Sequence, residues 1–216
     1  VVGESDYVDA SISALLRSRL HNAGEYGWYL QQLIKFSALA RLERGQVALI
    51  WDADTVPLRR LNFFQDGQLL FYSGQESHDP YFGAVQRLIG PGLIAPFSFI
   101  AQCFPCKAEW ASRFFQEVSR LHAMEWQKAV IDSVDFSVES GFSEYEVLGT
   151  FVIRNFPDEF TVQDRRWYRR GYGLVGGVKV LPFFRTLLSV HYDFISFESW
   201  DKPFSKWRML RSPTKT

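Results

Sequence analysis

The chain has 216 residues, 47% hydrophobic and 22% charged, which suits one ordinary globular domain with a substantial core. Its 24 basic and 24 acidic side chains cancel, so overall charge gives no pull toward nucleic acid, which is excluded as a first-choice partner. No stretch approaches the ~18 apolar residues of a transmembrane helix, and no signal-peptide pattern is legible.

Val1 and Val2 read as the end of a buried strand. Val8, Ile12, Leu15 and Leu16 predict a helix over 6–20, started by Asp6 or Asp9. A stronger amphipathic helix is predicted over 28–42, with Gly45 as its C-terminal cap. Val47–Trp51 is an unbroken apolar run, as expected of a central strand buried on both faces. Helix, glycine and buried strand in that order predict an α/β fold. Pro57 then keeps the strand from continuing inside a sheet. Further on, a short strand is predicted at 69–72, a helix at 80–89 and a strand-like run at 97–104. Helices over 108–122, 126–134 and 143–153 follow. Residues 164–173 are basic and aromatic, 174–180 glycine-rich, 189–197 strand-like and 202–215 a basic tail.

Aromatic residues make up 17% of the chain. Most belong in a core, although aromatic faces also bind sugars. The two cysteines, Cys103 and Cys106, are too few for a disulfide scaffold and lack zinc-ligand company. Their spacing matches a redox pair, but nothing else of a thioredoxin-like fold is legible, so structural thiols are expected.

The chemistry concentrates at Asp52-Ala53-Asp54. Two carboxylates one residue apart converge on one hard cation when the backbone turns between them. The bland reading is a turn with capping aspartates. Position favours the first, because ligands collect at the carboxyl ends of strands in open α/β sheets.

VALIWDADTVPLRR (47–60) resembles the signature segment of GT-A glycosyltransferases. GWYLQQLIKFSA (27–38), His78-Asp79-Pro80-Tyr81-Phe82 and GFSEYEVLGTF (141–151) extend the resemblance, toward a little-characterised bacterial group, over roughly residues 27 to 191. It implies a GT-A Rossmann-like mixed sheet flanked by helices, in one domain spanning 1–216. A nucleotide and metal half would occupy about 1–105 and an acceptor half about 106–216. The implied activity is metal-dependent transfer of a sugar from a nucleoside diphosphate sugar to a saccharide or lipid-linked acceptor, as in polysaccharide biosynthesis. Manganese or magnesium would be the cofactor. The implied setting is cytoplasmic, with peripheral contact at the inner membrane surface left open. The chain opens at what reads as the second or third strand of that fold, so the strand that would hold the base lies upstream or is missing.

By the same resemblance Asp54 ligates the metal, Asp52 contacts ribose or sugar and assists at the metal, and His191 completes the metal site. His191 is alternatively an edge-strand histidine held by hydrogen bonds. Glu144 and Glu146 lie on the acceptor side, where a general base is needed. Two apart on a helix they do not face the same way, and Glu144 is favoured. Both also suit the first turn of a helix capped by Ser143. Gln31 and Lys35, four apart on one helix face, would border the nucleotide, or else form a solvated face. His78 is a candidate donor-sugar or acceptor contact, or a loop histidine without a role. Arg165, Arg166, Arg169 and Arg170 would form a lid over the diphosphate, a membrane-proximal patch or a solvated face. Two competing functions are a metal-dependent phosphate-ester hydrolase or phosphotransferase, which also uses Asp-x-Asp, and a catalytically silent carbohydrate-binding protein.

Overall fold

The computed structural model describes residues 3–202, so Val1-Val2 and most of the basic tail lie outside the described residues. In chain order the elements are α1 (Ala10–Arg19), α2 (Tyr26–Leu39), β1 (Val47–Trp51), β2 (Thr55–Pro57), β3 (Phe64–Gln65), β4 (Gln68–Tyr72), α3 (Asp79–Ile89), β5 (Cys103–Lys107), α4 (Ala108–His122), α5 (Trp126–Ser133), α6 (Glu144–Asn155), β6 (Phe160–Gln163), β7 (Trp167–Tyr168), α7 (Gly171–Val175), α8 (Leu181–His191) and β8 (Phe194–Ser196).

The helices start where local chemistry says they should. Asp9 caps α1 by accepting from the Ser11 and Ile12 backbone N–H groups at 2.8 and 3.0 Å. Pro80 sits in the first turn of α3, where its missing N–H costs nothing. Apolar residues at helical spacing put Trp110, Phe114 and Val118 of α4 wholly inside. Helix α2 ends at Leu39, short of the predicted Leu42. Gly45 is not its cap; it takes φ 83° in the turn that leads into β1.

The described residues form an α/β fold of three small sheets, two of them mixed, with flanking helices. Among the described residues β1 pairs only with β5, antiparallel. β8 lies between β2 (antiparallel) and β7 (parallel). β4 lies between β3 (antiparallel) and β6 (parallel). The β3–β4 hairpin turns on Asp66 and Gly67, both at positive φ (51° and 84°), as a two-residue primed turn demands.

Three expectations are corrected here. β1 is not a central strand buried on both faces: Val47 is 54% exposed and Leu49 44%, while Ala48 and Ile50 pack on the core. An apolar run fixes a strand, but not how many partners it acquires. The run at 97–104 becomes a strand only from Cys103; before it, Ser98 makes an isolated bridge to Gly74. The stretch at 189–197 is not one strand, because α8 runs through His191 before β8 begins. Pro182 in the first turn of α8, and Leu181 and Leu188 buried two turns apart, keep that segment helical.

The main core draws on residues from Val8 to Ile153. Its centre is aromatic: the Phe71 ring stacks on Phe104 at 4.7 Å and on Phe160 at 5.0 Å, and Phe36 meets Phe114, Phe115, Trp126 and Phe142. Much of the aromatic excess is therefore packing. Cys103 and Cys106 face opposite sides of β5, one in a small cluster with Tyr72 and Phe194, the other in the main core. Both are free and buried, and burial pushes both thiols up, which suits packing and not redox exchange. Among the described residues, no helix is long and apolar enough to cross a membrane.

Candidate functional site

The site begins where β1 stops. The Asp52 N–H donates to the Gln102 carbonyl at 3.0 Å, and the Thr55 N–H donates to the Asp52 carbonyl at 2.9 Å. That closes a tight turn over Asp52, Ala53 and Asp54 before β2 starts. The Trp51 indole N–H, donating to the Thr55 carbonyl at 2.8 Å, clamps the turn from outside. Gln102 supports it from a left-handed backbone conformation, φ 62°, although it is not a glycine.

Lys35 reaches this turn from α2. Its Nζ lies 2.6 Å from Asp52 Oδ1 and 2.6 Å from Glu144 Oε1, the first residue of α6. The Tyr145 hydroxyl donates to the same Asp52 oxygen at 2.8 Å, and the Lys35 ammonium sits 4.6 Å from the Tyr145 ring centre. Gln32 accepts from the Glu144 backbone N–H at 2.9 Å, docking α6 onto α2. Ser143 caps α6 by accepting from the Glu146 N–H, so its capping role and the placement of Glu144 hold together.

The electrostatics follow from burial set against these charges. Burial works to lower the Lys35 pKa, but the Glu144 and Asp52 carboxylates outweigh it and hold the ammonium above its ordinary value. Glu144 is pushed up, because its burial outweighs the attraction of Lys35 and Asp52 repels it. Asp54 is also pushed up, first by burial and then by Asp52. The Tyr145 hydroxyl, buried against two carboxylates, is raised well above its usual range.

These side chains line a polar cavity of about 280 Å³ with Gln31 and Asp54 on its wall. Glu76, Ile100 and Arg169 also line a neighbouring cleft of about 1480 Å³, with Arg165, Arg166, Trp167, His191 and Tyr192. Arg169 stands at the boundary, paired with Glu76 and, at 2.7 Å, with Glu198.

No family model, curated protein or solved structure matches the chain.

Five of the sequence-predicted residues come together in the smaller cavity: Gln31, Lys35, Asp52, Asp54 and Glu144. Three do not. Glu146 points away, accepting from the Ser98 hydroxyl and the Phe99 N–H, so it tethers the 98–100 loop and does not face the cavity. His78 precedes α3, with Nε2 3.1 Å from the Glu139 carbonyl and its ring against Tyr81, and it lines neither cavity. His191 ends α8, not a strand, and lines the larger cleft; it is absent from the lining of the smaller cavity that holds Asp54. Among the described residues no three His, Cys, Asp or Glu side chains converge as a metal-holding group.

Sequence reasoning missed Tyr145 as a site residue, and it did not foresee that Gln32 docks α6 onto α2. Tyr145 lies between the two highlighted glutamates, and Gln32 next to Gln31. Their roles depend on the α2–α6 contact, which no local pattern announces.

Glu146 carries a pH signature. Burial pushes its pKa up to about 7, against the hydrogen bonds from Ser98 and Phe99. Unfolded, it ionises near 4.5; folded, it keeps its proton to about 7. Between those values the folded form binds more protons, so stability falls as pH rises, by at most about 1.4 kcal/mol per pH unit from this group. Glu146→Gln should therefore make the decline in urea midpoint between pH 5 and pH 7 shallower. An unchanged slope would show that Glu146 ionises normally in the fold.

Proposed function

We propose that the protein is a metal-dependent glycosyltransferase of the GT-A kind, moving a sugar from a nucleoside diphosphate sugar to a saccharide or lipid-linked acceptor. One observation carries the proposal. The Asp52 and Asp54 carboxylates stand on a tight turn at a strand end, faced by Glu144, where a small polar cavity meets a cleft large enough for two substrates.

The donor set suits magnesium or manganese. Thr55 Oγ1 approaches Asp54 Oδ1 only at 3.4 Å, while Asp52 keeps Lys35 and Tyr145 on one oxygen, Oδ1. Two hard carboxylates with the remaining positions left to phosphate oxygens and water is how magnesium usually sits among protein ligands. The upward push on Asp54 is a desolvation and repulsion that a bound cation relieves. Such a cation neutralises charge on a departing diphosphate. The chain supplies the rest. Lys35 and Tyr145 fix the Asp52 carboxylate in one orientation. Glu144, raised toward proton uptake, is the candidate base for the acceptor hydroxyl.

Titration calorimetry with manganese and a panel of nucleoside diphosphates tests this. We expect metal-dependent binding in the wild type and a loss of at least about a hundredfold in Asp54→Ala. No binding of any diphosphate by the wild type would end the proposal.

A second reading, a phosphate-ester hydrolase, is favoured by one feature. An ammonium holds the first aspartate of the pair, and the second is pushed toward its protonated form, as a nucleophile beside an acid would be. Covalent capture of Asp52 by fluoroberyllate without nucleotide would favour that reading over sugar transfer.

A further inference from the structure

The neutral overall charge hides an asymmetry. Residues 165–192 contain six lysines and arginines and no aspartate or glutamate, which leaves the rest of the chain net negative. That same segment carries the most exposed apolar surface of the described residues. On α8, Phe183 is 86% exposed, Leu187 64% and Val190 62%. At spacings of four and three they form one stripe along the helix. The segment leading into α8 adds Leu174, Val178 and Val180, all exposed. The opposite face of α8 is anchored, with Leu181 and Leu188 buried against Leu58, Ile195 and Phe197. The helix is thus fixed in place with an apolar face turned outward.

Lys179 is exposed within this surface, whereas Arg185 turns to the anchored side, its guanidinium donating to the Leu58 and Pro57 carbonyls at 3.4 and 3.5 Å. The acidic groups on the elements packed behind it are already engaged. Asp193 pairs with Arg59 at 3.1 Å, Glu198 with Arg169, and Asp201 accepts from the Gly173 N–H at 2.8 Å. Beyond Lys202 the sequence continues with Lys206, Arg208, Arg211 and Lys215 and no acidic residue.

We propose that the α7–α8 surface docks on an anionic lipid bilayer, with Phe183, Leu187 and Val190 entering the headgroup boundary and Lys179 meeting the lipid phosphates. An apolar stripe on a helix carried by a segment whose charges are all basic is a recognised form of interfacial anchor. Charge decides against a second copy of the chain as the occupant. A two-fold contact sets the same patch against itself, and here would bring the Lys179 side chains of two copies together without an acidic partner from the segment. A bilayer bound in this way also lies beside the larger cleft, because His191 and Tyr192 at the end of α8 line it. The docking does not depend on what chemistry the cleft performs.

The test is co-sedimentation of the full chain with vesicles of phosphatidylcholine alone, or with about a third phosphatidylglycerol. Binding is expected to the anionic vesicles and to weaken with added salt. The double substitution Phe183→Ser with Leu187→Ser should weaken it at least about tenfold with an unchanged melting temperature, since both side chains are outside the core. Lys179→Glu should weaken it about fivefold or more. The proposal is overturned if anionic vesicles leave the wild type in the supernatant, or if the double variant binds as the wild type does. It is equally overturned if the wild type sediments as a dimer that the double substitution dissolves while vesicles bind neither form; a second copy then covers the stripe.

Discussion

Replacing Lys35 by methionine should destabilise the fold by about 3–5 kcal/mol, read as a lower urea midpoint with an unchanged slope. Methionine keeps the length and the apolar stem but removes the ammonium. In a surface ion pair that loss costs about 0–1 kcal/mol. This is not a surface pair: the Lys35, Asp52 and Glu144 side chains are 17%, 21% and 6% exposed. Without Lys35, two carboxylates that share its Nζ face each other in a site little reached by water. Tyr145 still donates to Asp52, but Glu144 loses the contact that opposed its burial. Adding Glu144→Gln should restore a large part of the loss, because the uncompensated buried charge is then gone; a double-mutant cycle measures that coupling. The pH dependence has a definite sign. The folded Lys35 pKa is above its ordinary 10.5, so its contribution is complete below 10.5 and lost only as pH rises through the folded value. The gap between wild type and Lys35→Met should therefore not narrow from pH 7 to pH 9. A variant within 1 kcal/mol of wild type would mean that the two carboxylates do not rely on Lys35.

The Lys35 cluster shows how far the sequence could be read. Gln31 and Lys35 four apart, the strand ending in Asp52-Ala53-Asp54, and Glu144 turned away from Glu146 all follow from helical and strand periods, and in the structure Gln31, Lys35, Asp52, Asp54 and Glu144 line one cavity while Glu146 holds Phe99. What joins them does not follow. Asp52 and Glu144 meet Lys35 across 17 and 109 residues of sequence, and only the packing of α2 on α6 creates that meeting. Apolar runs likewise located β1 and β4 but not their partners, because pairing is a long-range property. That is why a run read as a central strand became half of a two-stranded sheet with Val47 and Leu49 outside. The misplacement of His191 had a local cause. Over 189–197 strand-like composition competed with the α8 pattern started by Pro182, and the helix held until Tyr192.

The second large effect is expected at Gly149, inside α6, where intrinsic propensity and packing predict opposite signs. Glycine in a helix interior is about 1 kcal/mol worse than alanine, so propensity alone makes Gly149→Ala stabilising. A methyl group built there would overlap three ring carbons of Phe99. That ring has little room to yield. It is 1% exposed and faces the rings of Phe97, Phe71 and Phe104 at 5.1, 5.6 and 6.3 Å. One turn earlier on the same helix, Glu146 holds the Phe99 backbone N–H at 3.0 Å, so backbone and ring are both pinned. Overpacking of an interior that cannot relax costs at or above the upper end of the usual 1–3 kcal/mol, and after the propensity gain the net loss should be about 2 kcal/mol or more. The origin of that loss is separable. With Phe99→Ala as background the ring is gone, and Gly149→Ala should turn from destabilising to stabilising by up to about 1 kcal/mol, the helix propensity now unopposed. A substitution with the same sign in both backgrounds would show that the glycine serves the helix backbone and not the seat of Phe99. The sign matters for the site as well, since Ile100, next to that ring, lines both the cavity at Asp52 and the larger cleft.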